Sequence, residues 1–425
     1  MTMKLLLNYR SACQRGLVAV ATGLALCVSL PSRADELEVS HYWDLAGDAK
    51  AIAYLKSAFA RQGYEWKDFA VAGGGNGLAL SLLKSRVASG NPPAAAQVKA
   101  SAIREWAQTG QLAILDDFAN AQGWDALLPE AVSSRMKYQG HYVAVPVNIH
   151  RNNWLWINSS VLKRVHAKAP TTWDEFFEVA ELMKRAGVVA VADSGQPWES
   201  QWLFESVVIG TGGADFYRKA LVQLDPAALG GAEMERALLT FRRIRSYTDR
   251  SNQQRDWLQD SAMLVSGQAG MALMGDWNKP VLMAAQKASG FEFECVPVPG
   301  ATRAFVFDTD SFVLFKGKGP GKVKAQRTFA TTILRPDVQE EFNLAKGSIP
   351  VRLGTDIGRY DRCAKASKAA FLQAAQANAL VPSISMAQGP AIEAGIRDII
   401  SDYWRDDRIT PRMAMTRLVR LARGR

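Results

Sequence analysis

The chain has 425 residues, of which 48% are hydrophobic and 22% are charged, a composition that is typical of a globular protein of two or three domains and excludes a disordered or fibrous chain. The formal net charge is +10, but the first 34 residues hold four bases and no acid, so the remainder carries 47 bases against 41 acids, a net charge of +6. With no lysine- or arginine-rich run, this mild excess gives no support to nucleic-acid binding.

The N-terminal segment, residues 1–34, has the three parts of a secretory signal peptide. Basic residues precede an apolar stretch from Gly16 to Leu30, and Ser32-Arg33-Ala34 provides a cleavage site with small residues. The apolar stretch is too short for a membrane anchor. We therefore expect cleavage after Ala34, and a mature protein that begins at Asp35 and works in an oxidising space outside the cytoplasm.

Cysteine positions support the same compartment. Cys13 and Cys27 lie in the segment that is expected to be removed, which leaves Cys295 and Cys363. Two thiols in an oxidising compartment predict one disulfide, with a pair of buried free thiols as the alternative. The sequence has no HExxH or CxxC motif, no GxSxG nucleophile and no P-loop lysine, so we expect no cofactor, no metal and none of the common enzyme classes.

Strand and helix patterns alternate at the start of the mature chain. In chain order, the predicted elements are a strand at 38–43, a helix at 47–63, a strand at 67–72, a helix from 78 to about 90, a strand at 95–99 and a helix at 101–108. This alternation predicts parallel βαβ units and an α/β fold. The glycine-rich run 73–77 predicts a tight turn, or a cradle of backbone N–H groups that faces a ligand crevice.

A second α/β region follows. Its predicted elements are strands at 142–147 and 154–157, helices near 199–210, 232–246 and 254–266, and strands at 269–274, 292–298 and 305–315, with helices from there to the end. Pro146 is typical of an edge strand or a crossover, and Thr171 to Glu175 indicates a capped helix start. Strands that resume after the second region indicate a chain that returns to its first domain.

Aromatic and polar residues gather where the predicted strands end, which is where open α/β sheets bind ligands. These residues are Tyr42, Trp43, Asp48, Gln97, Lys99, Asp276 and Trp277. Asp308 and Asp310, two positions apart in the predicted strand at 305–315, share one face and add a pair of carboxylates. Aromatic rings stack on the apolar faces of a sugar, while carboxylates and lysine bind its hydroxyl groups, so the mixture predicts a sugar site. For each residue the alternative is a core tryptophan or a solvated or helix-capping aspartate, and paired carboxylates also occur in glycoside hydrolysis.

Several segments together carry a family resemblance. They are His41-Tyr42-Trp43, 90–99, 145–154, 204–208, 267–277, Asp310-Ser311-Phe312 and 346–352. Through them, nearly the whole mature chain resembles the extracellular solute-binding proteins of sugar ABC importers, most closely the glucose/mannose-binding type of Gram-negative bacteria.

The resemblance implies a two-lobe α/β fold of the type II, maltose-binding-protein-like class, with hinge crossings near Val147, Gly300 and Pro350. The implied lobes are residues 35–147 plus 300–349 and residues 148–299 plus 350–425. It further implies a monomeric periplasmic protein that is not an enzyme. Such a protein captures a glucose- or mannose-like monosaccharide and delivers it to permease subunits in the inner membrane, which work with a cytoplasmic ATPase.

The resemblance also assigns sugar contacts. They are expected at Tyr42, Trp43, Asp48, Gln97, Lys99, Trp257, Trp277, Asp310 and Lys346. Two positions depart from the family pattern, because Tyr42 stands in place of the first residue of a tryptophan pair and Gln388 lies in a segment that tends to carry a histidine. Tyrosine still stacks and adds a hydroxyl group, and Gln388 offers a neutral amide contact. A binder of an oligosaccharide or another polyol is the nearer alternative function, and a periplasmic glycosidase the more distant one.

Overall fold

The computed structural model describes residues 35–43, 46–71, 77–249, 255–317 and 319–424. The predicted signal peptide and most of the glycine-rich run, residues 73–76, lie outside the described residues. Within the described ranges, no helix is long and apolar enough to cross a membrane.

The secondary structure begins with a strand and ends with a helix. The strands are β1 (Asp35–His41), β2 (Tyr64–Ala70), β3 (Ala95–Val98), β4 (Lys137–Tyr138), β5 (His141–Tyr142), β6 (Ala144–Pro146), β7 (Asn148–Arg151), β8 (Trp154–Asn158), β9 (Val189–Val191), β10 (Ala269–Leu273), β11 (Phe293–Pro297), β12 (Phe305–Asp308), β13 (Ser311–Leu314), β14 (Ile349–Pro350) and β15 (Leu380–Pro382). The helices are α1 (Ala46–Ala60), α2 (Leu78–Ala88), α3 (Ala100–Gln108), α4 (Asp116–Ala121), α5 (Trp124–Leu127), α6 (Glu130–Ser133), α7 (Ser159–Arg164), α8 (Trp173–Arg185), α9 (Pro197–Tyr217), α10 (Pro226–Leu229), α11 (Ala232–Arg245), α12 (Trp257–Ser266), α13 (Lys279–Ser289), α14 (Pro320–Ile333), α15 (Pro336–Lys346), α16 (Arg362–Gln376), α17 (Ile384–Ala387), α18 (Pro390–Arg405) and α19 (Pro411–Arg423).

The first sheet has the strand order β2-β1-β3-β13-β6. β1 runs parallel to β2 and β3, as the alternation of strands and helices predicts, and β13 returns antiparallel between β3 and β6. Pro146 closes β6 at the edge of this sheet, where a residue without an N–H group costs no ladder hydrogen bond. An apolar core that includes Leu37, Val39 and Phe312 packs around the sheet.

The second sheet has the order β11-β8-β10-β9. Next to it, α8 begins at the predicted place: Thr172 and Glu175 form a reciprocal capping box that satisfies N–H groups at the helix start. The predicted disulfide is confirmed, since Cys295 on β11 is bonded to Cys363 at the start of α16 with a Cα–Cα distance of 6.0 Å.

The third sheet, with the order β14-β7-β12-β15, lies between two apolar cores. Phe305 and Phe307 of β12 pack in the core of the first sheet, whereas Val306, on the opposite face, packs in the core that includes residues of β8 and β10. The prediction of a single strand over 305–315 is therefore wrong. This segment forms two strands, β12 and β13, which belong to different sheets.

Side chains explain the break between β12 and β13. The N–H of Thr309 donates to Oδ1 of Asp308 at 2.7 Å, and the N–H of Asp310 donates to Oδ1 of Asn148 at 2.9 Å. These bonds replace ladder partners, so the chain can leave one sheet and enter the next without losing hydrogen bonds. As a result, Asp308 and Asp310 lie where the first and third sheets meet.

Candidate functional site

Lys99 lies at the centre of a group of predicted site residues. It follows β3 and caps the start of α3, and its Nζ donates to Oδ1 of Asp308 at 2.9 Å and to Oδ1 of Asp310 at 3.0 Å. Gln97 donates from Nε2 to the same oxygen of Asp310 at 3.1 Å, and its Oε1 accepts from the N–H of Tyr42 at 3.2 Å. The structure therefore brings together predicted residues from three separate segments.

Neighbouring charges and burial have opposite effects on the pKa values of Lys99 and Asp310. Burial disfavours the charge of Lys99, but the carboxylates of Asp308 and Asp310 outweigh it and hold the lysine pKa well above its ordinary value. Burial likewise disfavours the charge of Asp310, yet Lys99 and His150 hold the pKa of that carboxyl well below its ordinary value. The lysine and Asp310 are therefore charged at neutral pH.

Asp310 already accepts three hydrogen bonds and contacts a histidine. Besides Gln97 and Lys99 on Oδ1, its Oδ2 accepts from Nδ2 of Asn148 at 3.1 Å and contacts Nε2 of His150 at 3.2 Å. A carboxylate offers about four lone-pair positions, so a ligand hydroxyl must share or replace one of these donors. Lys99 uses two of its three N–H groups on carboxylates and has 21% of its side chain exposed, which makes it the more available partner.

A cleft opens to solvent beside this group. Its lining includes Gln97 of β3, Tyr42 and Lys99, which directly follow β1 and β3, and Glu393 and Arg397 of α18. The Oη atom of Tyr42 is buried and has no hydrogen-bond partner among the described residues. An unpartnered buried hydroxyl is costly, and a ligand in the cleft would satisfy it.

Asp48 and Lys346 form a second ion pair. Nζ of Lys346, the last residue of α15, donates to Oδ1 of Asp48 in the first turn of α1 at 2.6 Å. The same Nζ lies 6.0 Å from the ring centroid of Trp43. Burial disfavours the charge of Lys346, but Asp48 and Asp310 outweigh it and raise its pKa.

Trp43 lies in the first apolar core. Its side chain packs against Phe312 and Phe342, with ring centroids 5.5 and 5.2 Å away, and the residue is 3% exposed. Its Nε1 is buried without a partner among the described residues. Stacking of this ring on a ligand stays a prediction, because the present packing covers the ring with core side chains.

Trp277 and Trp257 lie on the side of the second sheet. Trp277 is half-buried and contacts the rings of His150 and Trp202, at 5.7 and 5.5 Å between centroids. Trp257 begins α12 and packs partly buried against the same small apolar cluster. Ser261 of α12 donates to Oδ1 of Asn278 at 2.6 Å, which ties that helix to the Trp277 turn.

Gln388 is bound to the backbone of a neighbouring segment. Its Nε2 donates to the backbone oxygens of Leu221 and Val222, both at 2.7 Å. With both amide hydrogens bound to the backbone, only the carbonyl oxygen of Gln388 is left for the predicted ligand contact, which stays a prediction.

The sequence prediction did not include several residues that complete the site. Asn148 and His150 on β7 hold Asp310, and Glu393 and Arg397 on α18 face the cleft. The segment around Asn148 contributes to the family resemblance, but its residue types alone do not indicate a contact with Asp310. For the α18 pair, the available signal was a carboxylate and a guanidinium four residues apart on one helix, which is also typical of an ordinary surface ion pair.

The chain is similar to known proteins along most of its length. Residues 79–356 match the model of the family described as bacterial extracellular solute-binding protein. A protein of Rhizobium meliloti (strain 1021), named a probable sugar-binding periplasmic protein, is 38% identical over 379 residues, which cover 89% of this chain and 91% of that protein.

Two solved structures share the fold. One is a bacterial solute receptor described as having an exclusive preference for β-D-galactopyranose, with a TM-score of 0.78 and 18% identity, covering 92% of this chain and 99% of that one. The other is a chitin oligosaccharide binding protein, with a TM-score of 0.77 and 17% identity over 92% of this chain and 98% of that one.

The chain belongs to the bacterial extracellular solute-binding proteins. Its fold is the two-lobe, maltose-binding-protein-like α/β fold. Members of this family bind solutes and are not enzymes, so the glycosidase alternative no longer applies.

Proposed function

We propose that this solute-binding protein is the periplasmic, sugar-capturing component of an ABC importer, and that it binds a glucose- or mannose-like monosaccharide in the cleft beside Lys99. It delivers the sugar to permease subunits in the inner membrane, whose cytoplasmic ATPase drives import. The name of the Rhizobium relative supports the ligand class and the compartment. The pyranose preference of the galactose receptor supports a single sugar ring.

One observation carries the proposal: a charged lysine with a spare N–H group and a buried, unpartnered tyrosine hydroxyl line the same cleft. A sugar hydroxyl can accept from Lys99 and exchange a hydrogen bond with Tyr42 at the same time. Such a site discriminates strongly against ligands without the hydroxyl group, since its buried polar groups would then stay unpaired.

The cleft lies between groups that come from different parts of the fold. Tyr42 and Lys99 directly follow two strands of the first sheet, and Glu393 and Arg397 belong to α18. We assign residues 35–147 plus 300–349 to one lobe and residues 148–299 plus 350–425 to the other. The third sheet supports this assignment, because the expected crossings lie next to its strands and β12 packs on both cores. Sugar binding then closes the lobes by a hinge motion.

We also propose that the chain is exported from the cytoplasm. A signal peptide at residues 1–34 directs the chain to the periplasm and is cleaved after Ala34, and the mature protein acts as a monomer. Intact-mass measurement of protein from the periplasm checks the cleavage site: a mass that begins at Asp35 supports it, and a lipid-modified species that begins at Cys27 contradicts it.

Thermal unfolding of the mature protein across a sugar panel tests the function. A ligand at 100 times its Kd stabilises the folded state by about 2.7 kcal/mol, which gives a measurable rise in Tm. We expect glucose or mannose to raise Tm more than galactose, disaccharides or chitin oligosaccharides. A rise with longer sugars alone favours the oligosaccharide alternative, and no rise with any sugar contradicts the proposal.

A matched pair of lysine variants locates the binding. Lys99→Met removes the donor in the cleft, and we expect it to abolish the rise in Tm. Lys137→Met removes a half-buried lysine that pairs with Asp125 at 2.7 Å and does not line the cleft, and it should leave the rise unchanged. Equal responses of both variants would place the sugar elsewhere.

A further inference from the structure

Glu393 of α18 lines the cleft and has few hydrogen-bond donors around its carboxylate. Its side chain is only 13% exposed. Its Oε1 lies 3.5 Å from Nε2 of Gln201 and 3.9 Å from Nη1 of Arg397. Charge-assisted hydrogen bonds from nitrogen to a carboxylate normally measure about 2.7–2.9 Å. Among the described residues, Glu393 therefore has no partner at the distance that a buried carboxylate usually finds.

Asp310 is the matched comparison, because it is also a buried carboxylate beside the cleft. It accepts three side-chain hydrogen bonds at 3.0–3.1 Å, and neighbouring positive charges hold its pKa well below the ordinary value. At Glu393, burial raises the pKa above the ordinary value, and the nearby charge of Arg397 does not offset this effect. The fold thus satisfies Asp310 and leaves Glu393 in need of donors, which a ligand in the cleft can supply.

Arg397 places donors beside this acceptor. Its side chain lines the cleft, is 18% exposed and makes no hydrogen bond within the part of the chain that the structure describes. One turn of α18 therefore presents a carboxylate, which only accepts, next to a guanidinium, which only donates. A hydroxyl group both donates and accepts, so two adjacent hydroxyls of a sugar match this pair.

We propose that Glu393 is a specificity-determining residue of the cleft: its carboxylate accepts hydrogen bonds from two adjacent hydroxyl groups of the sugar, and Arg397 donates to the same two groups. The inference rests on the proposed function and deepens it, since it requires a sugar with a free vicinal diol towards α18. Lys99 binds the sugar from the lobe that we assign to the first sheet, and Glu393 from the other lobe.

Glu393→Gln tests this role, because the amide keeps the size of the side chain and removes its charge. We expect calorimetric titration with the best sugar of the panel to show roughly tenfold weaker binding or more, since hydrogen bonds to a charged group are the stronger ones. The Tm of the sugar-free variant should stay or rise, because a poorly bonded buried charge is removed. An unchanged affinity with a lower Tm would make Glu393 part of a structural ion pair and overturn the inference.

Asp402→Asn is the matched control on the same helix. The Asp402 side chain is 53% exposed, pairs with Arg417 at 2.7 Å and does not line the cleft. This variant also changes a carboxylate of α18 to an amide, and it should bind the sugar like the wild type. An equal loss of affinity in both variants would assign the effect to the charge of the helix as a whole and overturn the inference.

Fluorinated sugars identify the hydroxyl groups that donate. Fluorine in place of one hydroxyl removes the donor, and a carboxylate can bind only a donor. We expect the wild type to bind roughly tenfold more weakly when either of two adjacent hydroxyls is replaced, and Glu393→Gln to lose less than about threefold at the same positions. Should Glu393→Gln fail to fold, Glu393→Met gives the same comparison.

The outcomes separate the two proposals. Equal losses with the fluorinated sugars in the wild type and the variant, or no loss in the wild type at any pair of adjacent positions, overturn the inference alone. A wild-type protein that binds no sugar of the panel overturns the proposed function as well.

Discussion

Trp43 and Trp277 both follow the end of a strand and carry the same predicted role, yet they lie in different surroundings. Trp43 is packed in the first apolar core between Phe312 and Phe342. Trp277 is half-buried in a much smaller cluster, where its ring contacts one histidine and one tryptophan. The comparison teaches that a position after a strand does not by itself decide the role of a tryptophan. The residues that pack on the ring decide whether it stabilises the fold or is available to a ligand.

Truncation of Trp43 should have the largest effect on stability. Trp43→Ala removes a large buried ring, so we expect the free energy of unfolding to fall by about 3–5 kcal/mol. Urea denaturation of the sugar-free protein measures this, and Trp43→Phe, which keeps an apolar ring, should lose much less. A loss below about 1 kcal/mol would place the Trp43 ring outside the core and make it equivalent to Trp277.

The smaller cluster around Trp277 depends on a covalent bond. It contains Cys363 and packs against Cys295, which are bonded across a sequence separation of 68 residues. Loss of this bond should lower the free energy of unfolding by roughly 2–4 kcal/mol.

The double variant Cys295→Ala/Cys363→Ala and a reductant provide the test. Reductant should lower the Tm of the wild type and leave the Tm of the double variant unchanged. A reduced wild type, verified by thiol titration, that melts at its original temperature would contradict the dependence of this cluster on the bond.

Truncation of Trp277 should affect affinity rather than stability. A stacked aromatic pair is worth on the order of 1 kcal/mol beyond its buried area, so we expect Trp277→Ala to weaken sugar binding roughly tenfold with only a small change in Tm. Calorimetry and thermal unfolding measure the two effects. A clear fall in Tm with unchanged affinity would mean that Trp277, like Trp43, serves the core.

Local sequence patterns predicted the parts of the molecule that depend on local contacts. The capped start of α8 at Thr172 depends on residues three positions apart. The end of β3 likewise predicted Lys99 as a site residue, whereas Asp310 was predicted to lie inside a strand. The break at Thr309 depends on Asn148, which lies far away in sequence. Gln388 likewise binds carbonyl groups near residue 221. Such contacts depend on the tertiary structure. They cannot be predicted from the hydrophobic periodicity or the composition of the sequence.

The sequence predicted which types of residue form the site, but not which of them contact each other. The sequence indicated carboxylates, a lysine and aromatic rings, but not that Asp310 would have four polar partners or that His150 would lie between it and Asp276. Burial decides these links, because a buried charge must find partners and a solvated one need not. His150 and His141 each face an aspartate, and only the first is enclosed.

The central claim, that the cleft beside Lys99 binds a sugar, is tested most directly by Tyr42→Phe. This variant removes one buried oxygen that has no partner among the described residues, so stability should not fall, while affinity for the best sugar should weaken about threefold to tenfold, the worth of one neutral hydrogen bond. Tyr360→Phe, whose hydroxyl donates to the Glu340 carbonyl at 2.8 Å, should instead lose stability and keep its affinity. Calorimetric titration of both variants decides: an unchanged affinity in Tyr42→Phe would contradict sugar binding at this cleft.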